Sequence, residues 1–383
     1  MPTLTHRERV TKALNHEEPD RVPMDLGGTN VTTVNIKAYA RLVNHLSIAG
    51  ASETVVMSKR SMTVVPSDRV LQLLDVDTRG LAPGRPDLGP DQDIDENSFM
   101  DEWGVLWKRP EGGHFINTGG PFQQMEDPTV ADLEKYDRWP DPHDPGWARG
   151  LREKARKLRE ETDYAIVFQL PYAIVRECQR MRGFGEWLAD LISAPAFAEG
   201  LMEHSLEISA GAAIATLEEV GDSVDVVMFP DDLGFQDMCY VRPELYRKAI
   251  KPYHRRLVEA IKSRTKAKVL MHSDGSIYAI IGDLIDIGVE VLNPVQVSAK
   301  DMDTARLKRE FGSHLTFWGA IDTHRVLPLG TPEDVRAEVR TRIDHLAKGG
   351  GYVVASVHNI QAEVPPENIL ALFQTARECG AYK

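Results

Sequence analysis

The feature that most constrains this chain's folding is a repeated alternation. Short apolar, β-rich runs recur, most of them separated by helix-like segments. They lie at 164–170 (YAIVFQL), 225–230 (DVVMFP), 268–271 (KVLM), 289–292 (VEVL), 315–320 (LTFWGA) and 352–357 (YVVASV), with an earlier one at 22–26. Runs of this length that are mostly apolar read as parallel strands buried on both faces. Between and after them the spacing predicts helices over 184–191, 196–219, 244–263, 277–287, 304–311, 332–347 and 367–379, and a short one over 5–15. Thr331-Pro332-Glu333-Asp334 has the hydroxyl cap, early proline and acid of a capping box, and glycines 349–351 stop that helix. The pattern is that of a parallel α/β fold. An eighth strand must come from 54–57 or from 77–145, a Gly-, Pro- and Asp-rich excursion carrying Phe99, Trp103, Trp107, Phe115 and Phe122. That excursion reads either as a lid over a barrel mouth or as a surface loop packed by its own aromatics.

The runs end in chemistry. Gln169 closes the first; Asp231 and Asp232 follow the second, with Gln236 just beyond. His272 and Asp274 follow the third, Asn293 and Gln296 the fourth, Asp322 the fifth and His358 the sixth; Asp25 lies in the early run. In a parallel barrel all strand C-termini face one end, where such side chains converge on a ligand. His272-x-Asp274, with Gly275 to permit a turn, could meet the distant His358 and make three ligands with one position open, as at a catalytic zinc. The same histidines could equally be hydrogen-bonding groups of a metal-free pocket. Adjacent carboxylates after an apolar strand are costly to bury unless something binds them. Asp231 and Asp232 therefore read as a metal ligand, a general acid/base or an acceptor, or one of them as a helix cap. The amides Gln169, Asn293 and Gln296, with Asp322, suit orientation of a polar substrate.

Composition narrows the classes. With 42% hydrophobic and 27% charged residues the chain has the balance of a globular protein with a sizeable core. A net charge of −13 argues against nucleic acid as a partner but leaves room for a local basic pocket. Three cysteines without C-x-x-C spacing argue against a disulfide framework and for a reducing cytoplasm. Cys178 reads as a small buried hydrophobe. The charged N-terminal stretch lacks the apolar core of a secretory signal, and no apolar stretch is long enough to span a bilayer, so no membrane partner is expected.

Several segments carry a family resemblance: RERVTKALNHEEPDRVPMDLGG (7–28), FPDDLGFQ (229–236), LMHSDGSIYAIIGDLIDIGVEVLNPVQ (270–296), LKREFGSHLTFWGAID (307–322) and GGGYVVASVHNIQAEVPPENILAL (349–372). In this order they resemble the uroporphyrinogen decarboxylase superfamily, in the branch of decarboxylase-like corrinoid methyltransferases. The resemblance implies one distorted (β/α)8 (TIM) barrel domain over 1–383, interrupted by the excursion at about 77–145, with its site at the strand C-termini. It implies methyl transfer from a small-molecule methyl donor to the cobalamin of a separate corrinoid carrier protein. The chain departs from true decarboxylases, whose early arginine-rich segment binds substrate carboxylates; MDLGGTN (24–30) has no arginine there. It departs from the thiol-methylating branch too, since Asp274 stands where that branch has a cysteine ligand and His358 stands near its later one. An oxygen/nitrogen set is harder than a thiolate set, and a methoxylated aromatic donor, hence O-demethylation, becomes the more attractive expectation.

The expected assignment has His272, Asp274 and His358 holding zinc, Asp231, Asp232 and Gln236 in the chemistry, and Gln169, Asn293, Gln296 and Asp322 around the substrate. The alternatives are a cofactor-independent decarboxylase or lyase on the same barrel, and a noncatalytic tetrapyrrole- or corrinoid-binding protein. A homodimer is compatible with all three. Asp141-Pro142-His143-Asp144-Pro145-Gly146 matches the D-x-H-x-x-G string of cobalamin-binding domains, but three prolines surround it (Pro140, Pro142, Pro145) and His143 is not expected to ligate cobalt.

Overall fold

The computed structural model describes residues 4–48, 55–89 and 91–382. Its centre is a parallel sheet of seven strands: β1 (Thr78–Leu81), β2 (Ala165–Gln169), β3 (Val226–Pro230), β4 (Lys268–His272), β5 (Val291–Asn293), β6 (Thr316–Ile321) and β7 (Tyr352–Ser356), paired in that order. The expected seventh run, 22–26, does not form a full strand. It lies between β7 and β1 and joins them: Val354 N–H donates to Pro23, Asp25 N–H to Val354, and Asp77 N–H to Met24. These bonds close a distorted (β/α)8 barrel. The remaining strand comes from the start of the excursion, as β1, and not from 54–57. Val55–Ser58 pairs antiparallel with Thr63–Val65 in a separate three-stranded sheet, and Thr54 lies outside the described residues.

Side chains alternate across each strand. Ala165, Val167, Val226, Met228, Leu270, Val291, Trp318, Val353 and Ala355 form one buried cluster inside the barrel. Their neighbours Ile166, Phe168, Val227, Phe229, Val269, Met271 and Leu292 belong to a second, larger cluster under the surrounding helices. Helix α1 (His6–Leu14), started by a Thr5–Glu8 capping box, sends Val10 and Leu14 into the interior cluster. Fully buried Asp77 ties this end together, accepting from Arg9, Arg21 and Met24 N–H and contacting His6. Asp25 is spent inside the barrel, accepting from Trp318 Nε1, Thr78 and Gly28 N–H.

Every helix expected after residue 163 is present, and the Thr331 capping box forms. The helices Ile36–His45, Asp68–Leu73, Leu151–Glu161 and α2 (Val175–Arg182) were not expected. The excursion folds as a four-stranded antiparallel sheet spanning Gln92–Asp95, Ser98–Met100, Leu106–Lys108 and Ile116–Gly119. All five of its singled-out aromatics are buried. Phe99 stacks on Trp107 and meets Phe115 edge-on, so its own aromatics do pack it.

Candidate active site

The interior alternation decides which strand-end side chains reach the mouth. On β4 the inward series runs Leu270, His272; on β5 it runs Val291, Asn293; on β2 it runs Val167, Gln169. On β3 it runs Val226, Met228, Pro230 and, past the strand, Asp232. Asp231 continues the outward series Val227, Phe229.

The consequence for the two carboxylates is a clean division. Asp231 is fully buried and accepts from the amides of Ile174, Val175 and Arg176, capping α2 from outside, and it contacts His254 Nε2 at 2.9 Å. Both its oxygens are occupied by helix amides and a buried imidazole, which is the helix-cap alternative for this residue and not a position at the mouth. Asp232 remains at the mouth, 37% exposed, with Oδ1 accepting from Asp274 N–H and lying 3.9 Å from His272 Nε2.

His272, Asp274 and His358 converge, their ligand atoms lying within 4.8 Å of one another. Asp274 Oδ2 is 3.7 Å from His272 Nε2 and 4.0 Å from His358 Nε2. Gly275 makes the turn: its φ is +91°, and a Cβ there would lie 2.2 Å from the carbonyl oxygen of Gly234. This contact presses the Asp232 loop against the Asp274 turn. Asn293 donates from Nδ2 to the Trp318 carbonyl, so its Oδ1 faces His272 Nδ1, at 2.6 Å. His272 must then carry its proton on Nδ1 and present a lone pair at Nε2 to the mouth.

The remaining amides brace this floor. Gln296 accepts from Gly275 N–H and donates to Gln236, which in turn donates to the Ser298 carbonyl. Gln236 is thus a positioning residue. Gln169 accepts from Asn30 N–H, and Asp322 holds its own turn through His324 and Arg325 N–H.

Electrostatics separate the three converging groups. Burial pushes the Asp274 carboxyl above its ordinary value, opposed by His272 and His358. Burial lowers the His358 imidazole, although Asp274 pulls the other way and a third of the side chain stays open to the mouth. Asp274 Oδ1 is buried with no hydrogen-bond partner among the described residues. An orphaned carboxylate oxygen, an imidazole lone pair fixed by a neighbouring amide, and a second imidazole within reach are the donor set a divalent metal takes. The three residues therefore fit a metal ion.

Two features escaped the sequence reading. His324 lies near enough for its charge to act on Asp274 and His358, and a second imidazole two residues past Asp322 was its signal. On the excursion side of the mouth, Arg60, Arg176 and Arg180 gather around Glu177, Glu102 and Trp107. No local spacing joins residues drawn from a turn, the excursion and α2. His143 is exposed, in a turn, while Asp144 caps the helix Pro145–Ala148 and accepts from Asp87 and Leu88 N–H.

The uroporphyrinogen decarboxylase (URO-D) family model matches residues 119–379, more than half of the chain. No curated protein matches by sequence. Among solved structures, a methyltransferase from Methanosarcina mazei is similar with a TM-score of 0.64 at 18% identity, over 98% of this chain and 99% of that one. A β-glucosidase from Pyrococcus furiosus gives 0.42 at 11% identity, over 95% and 96%. Xylanase 10B from Thermotoga petrophila RKU-1 gives 0.38 at 12%, over 61% and 80%. At these identities the likeness to the methyltransferase concerns the fold.

Proposed function

The chain belongs to the uroporphyrinogen decarboxylase family, and from that premise we propose that it is a methyltransferase. It moves a methyl group from a small donor, a methoxylated aromatic, to the cob(I)alamin of a separate corrinoid protein. The observation that carries this reading is the convergence of His272, Asp274 and His358, with an unpartnered carboxylate oxygen, at the strand C-termini of the barrel. In such a transfer the carbon–oxygen bond breaks with its electron pair left on oxygen, so the protein must align the methyl group and stabilise that oxygen. A zinc ion held by the three residues would supply Lewis-acid stabilisation of that oxygen. Asn293 keeps the His272 lone pair pointed at the mouth. Gln236 and Gln296 hold the Asp274 turn rigid. Asp232, with Oδ2 free of any hydrogen bond among the described residues, would relay a proton from solvent to the departing oxygen. Among the described residues no helix is long and apolar enough to cross a membrane.

The test is metal analysis of the purified protein together with the spectral change of added cob(I)alamin on methylation by a panel of methoxylated aromatics. Stoichiometric zinc, lost in His272→Ala with the fold intact, and methylation that falls with it are expected. Equal methylation by zinc-free and zinc-loaded protein would remove the metal from the reading. Release of CO2 from a carboxylated substrate, without methylation, would instead favour a cofactor-independent decarboxylase.

A further inference from the structure

We propose that a second copy of this chain docks on the face made by one helix and one hairpin beside the barrel mouth. The helix is α3 (Phe184–Ser193), and the hairpin spans 233–240. The inference concerns assembly. It goes beyond the methyltransferase reading and does not rest on it.

Helix α3 has two sides of different chemistry. Trp187, Asp190 and Leu191 face the core. Phe184, Leu188 and Ile192 repeat at the four-residue spacing that lines one edge of a helix, Leu188 half-buried and the other two exposed. Glu186 is the one charged residue among the exposed positions of α3. Its carboxylate folds back over Gly183, 2.3 Å from where a Cβ on that glycine would stand. The hairpin follows β3 and is closed by Phe235 N–H donating to the Met238 carbonyl and Tyr240 N–H to that of Leu233. Its tip, from Phe235 to Met238, is exposed throughout. Helix and hairpin form one surface, because Phe184 meets Phe235 and Tyr240 edge-on at centroid distances of 5.7 and 5.0 Å.

The size of this face limits what it fits. Phe184, Phe235, Met238 and Ile192 are 38%, 40%, 58% and 76% exposed. With side chains of roughly 200 Å² each, they leave roughly 400 Å² of apolar surface open. A patch of that size on a soluble protein is often functional. A stable complex buries about 800 Å² on each partner, a little over half of it apolar. The face therefore supplies the apolar share of one side of an ordinary protein interface.

Charge identifies the occupant. At a net charge of −13 two copies repel, and they approach most easily through a face nearly free of charge. The rim of this face carries one acid and one base, Asp237 and Arg242, both exposed and neither paired with an opposite charge among the described residues. A two-fold contact brings Asp237 of each copy to Arg242 of the other, so the rim is complementary to itself. Both residues line a cleft of about 380 Å³ beside the hairpin, walled by Tyr240, Val241, Pro243 and Tyr278. That cleft is the concave counterpart for an exposed apolar anchor such as the second copy's Ile192. Gln236 lies between Phe235 and Met238 and reaches the Asp274 turn through Gln296. A copy seated on the hairpin therefore also steadies the floor of the mouth.

Sedimentation velocity of the full chain through a dilution series tests this. The unaltered protein should be a dimer that dissociates on dilution. Ile192→Glu and Phe235→Ser should each weaken it about 30-fold or more, the scale of an anchor lost from an interface centre. Asp237→Arg and Arg242→Asp should each weaken it several-fold, and the two together should restore it, an outcome that damage to the fold would not give. Leu329→Glu, at an exposed apolar side chain after β6, should leave the dimer unchanged. Circular dichroism, the same for every variant, separates loss of docking from loss of fold. A monomer at every concentration overturns the proposal. So does a dimer indifferent to both Ile192→Glu and Phe235→Ser, one weakened equally by Leu329→Glu, or single charge variants that the double exchange fails to rescue.

Discussion

The two walls of the barrel mouth were built by different means. The strand-end wall obeys a two-residue period. Once Val226 and Met228 face the interior, Asp232 must follow them and Asp231 must not. The excursion wall obeys no period. Arg60, Glu102, Trp107 and Arg180 come from three separate segments, a turn, the excursion and α2, and meet only because an antiparallel sheet packs across α2. Local geometry places the strand-end floor, while tertiary packing gathers the charged groups of the excursion wall.

The sharpest way to break this contrast is to strike the floor alone. His272→Ala should lose stoichiometric zinc and reduce methyl transfer on the order of 10³-fold or more, since Lewis-acid assistance is worth several kcal/mol. Full zinc retention in that variant would remove His272 from the ligand set. Asn293→Ala leaves the ligands intact but frees the His272 tautomer, and metal affinity should drop roughly 10–100-fold, measured by chelator competition.

A smaller effect separates the adjacent aspartates. Asp232→Asn should cost roughly 10² in turnover with little change in melting temperature, as removal of a proton-transferring group does. Asp231→Asn should do the reverse, costing about 2 kcal/mol of stability as three helix amides and His254 lose a charged acceptor. Turnover would then change only as far as α2 shifts. Exchange of these two outcomes would show that the inward series does not continue past β3.

This pair also marks how far the sequence could be read. Most of the strands, most of the helices after residue 163 and the convergence of His272, Asp274 and His358 follow from apolar runs and from where they end. The role of Asp231 was legible in principle, because the period assigns it to the outer face. Adjacency to Asp232 obscured that. The closing segment was harder: residues 22–26 make only the few backbone bonds needed to join β7 to β1, so a regular strand was the wrong expectation. The arginine wall was illegible, since guanidiniums far apart in sequence become neighbours through packing of the Phe99–Trp107–Phe115 cluster.

The excursion wall has its own pH signature. Burial raises the Glu102 carboxyl from an ordinary 4.5 to about 7, with Arg60 opposing and Asp101 and Asp91 reinforcing. A carboxyl raised in the folded state binds its proton more tightly there than in the unfolded chain. Its contribution to stability is therefore fully present below about pH 4.5 and lost as pH rises through about 7. The span corresponds to about 3 kcal/mol. Glu102→Gln should flatten that part of the profile, so that the difference between variant and parent, read from urea midpoints, grows in favour of the variant as pH rises. A constant difference across that range would mean that Glu102 stays ionised beside Arg60.

The least effect is expected at the one motif that matched a cobalamin-binding string. His143 is exposed in a turn, with its amide on Asp141, and its side chain makes no hydrogen bond among the described residues. Asp144 does the structural work beside it, holding Gly146, Asp87 and Leu88 N–H groups. Asp144→Ala should therefore cost about 1–2 kcal/mol, as loss of a cap does. His143→Ala should stay within about 0.5 kcal/mol, as exposed substitutions do, and leave methylation of cob(I)alamin unchanged. Cobalamin that copurifies with the protein and is lost in His143→Ala would reverse this. The excursion wall would then hold the corrinoid itself, and a separate carrier protein would no longer be required.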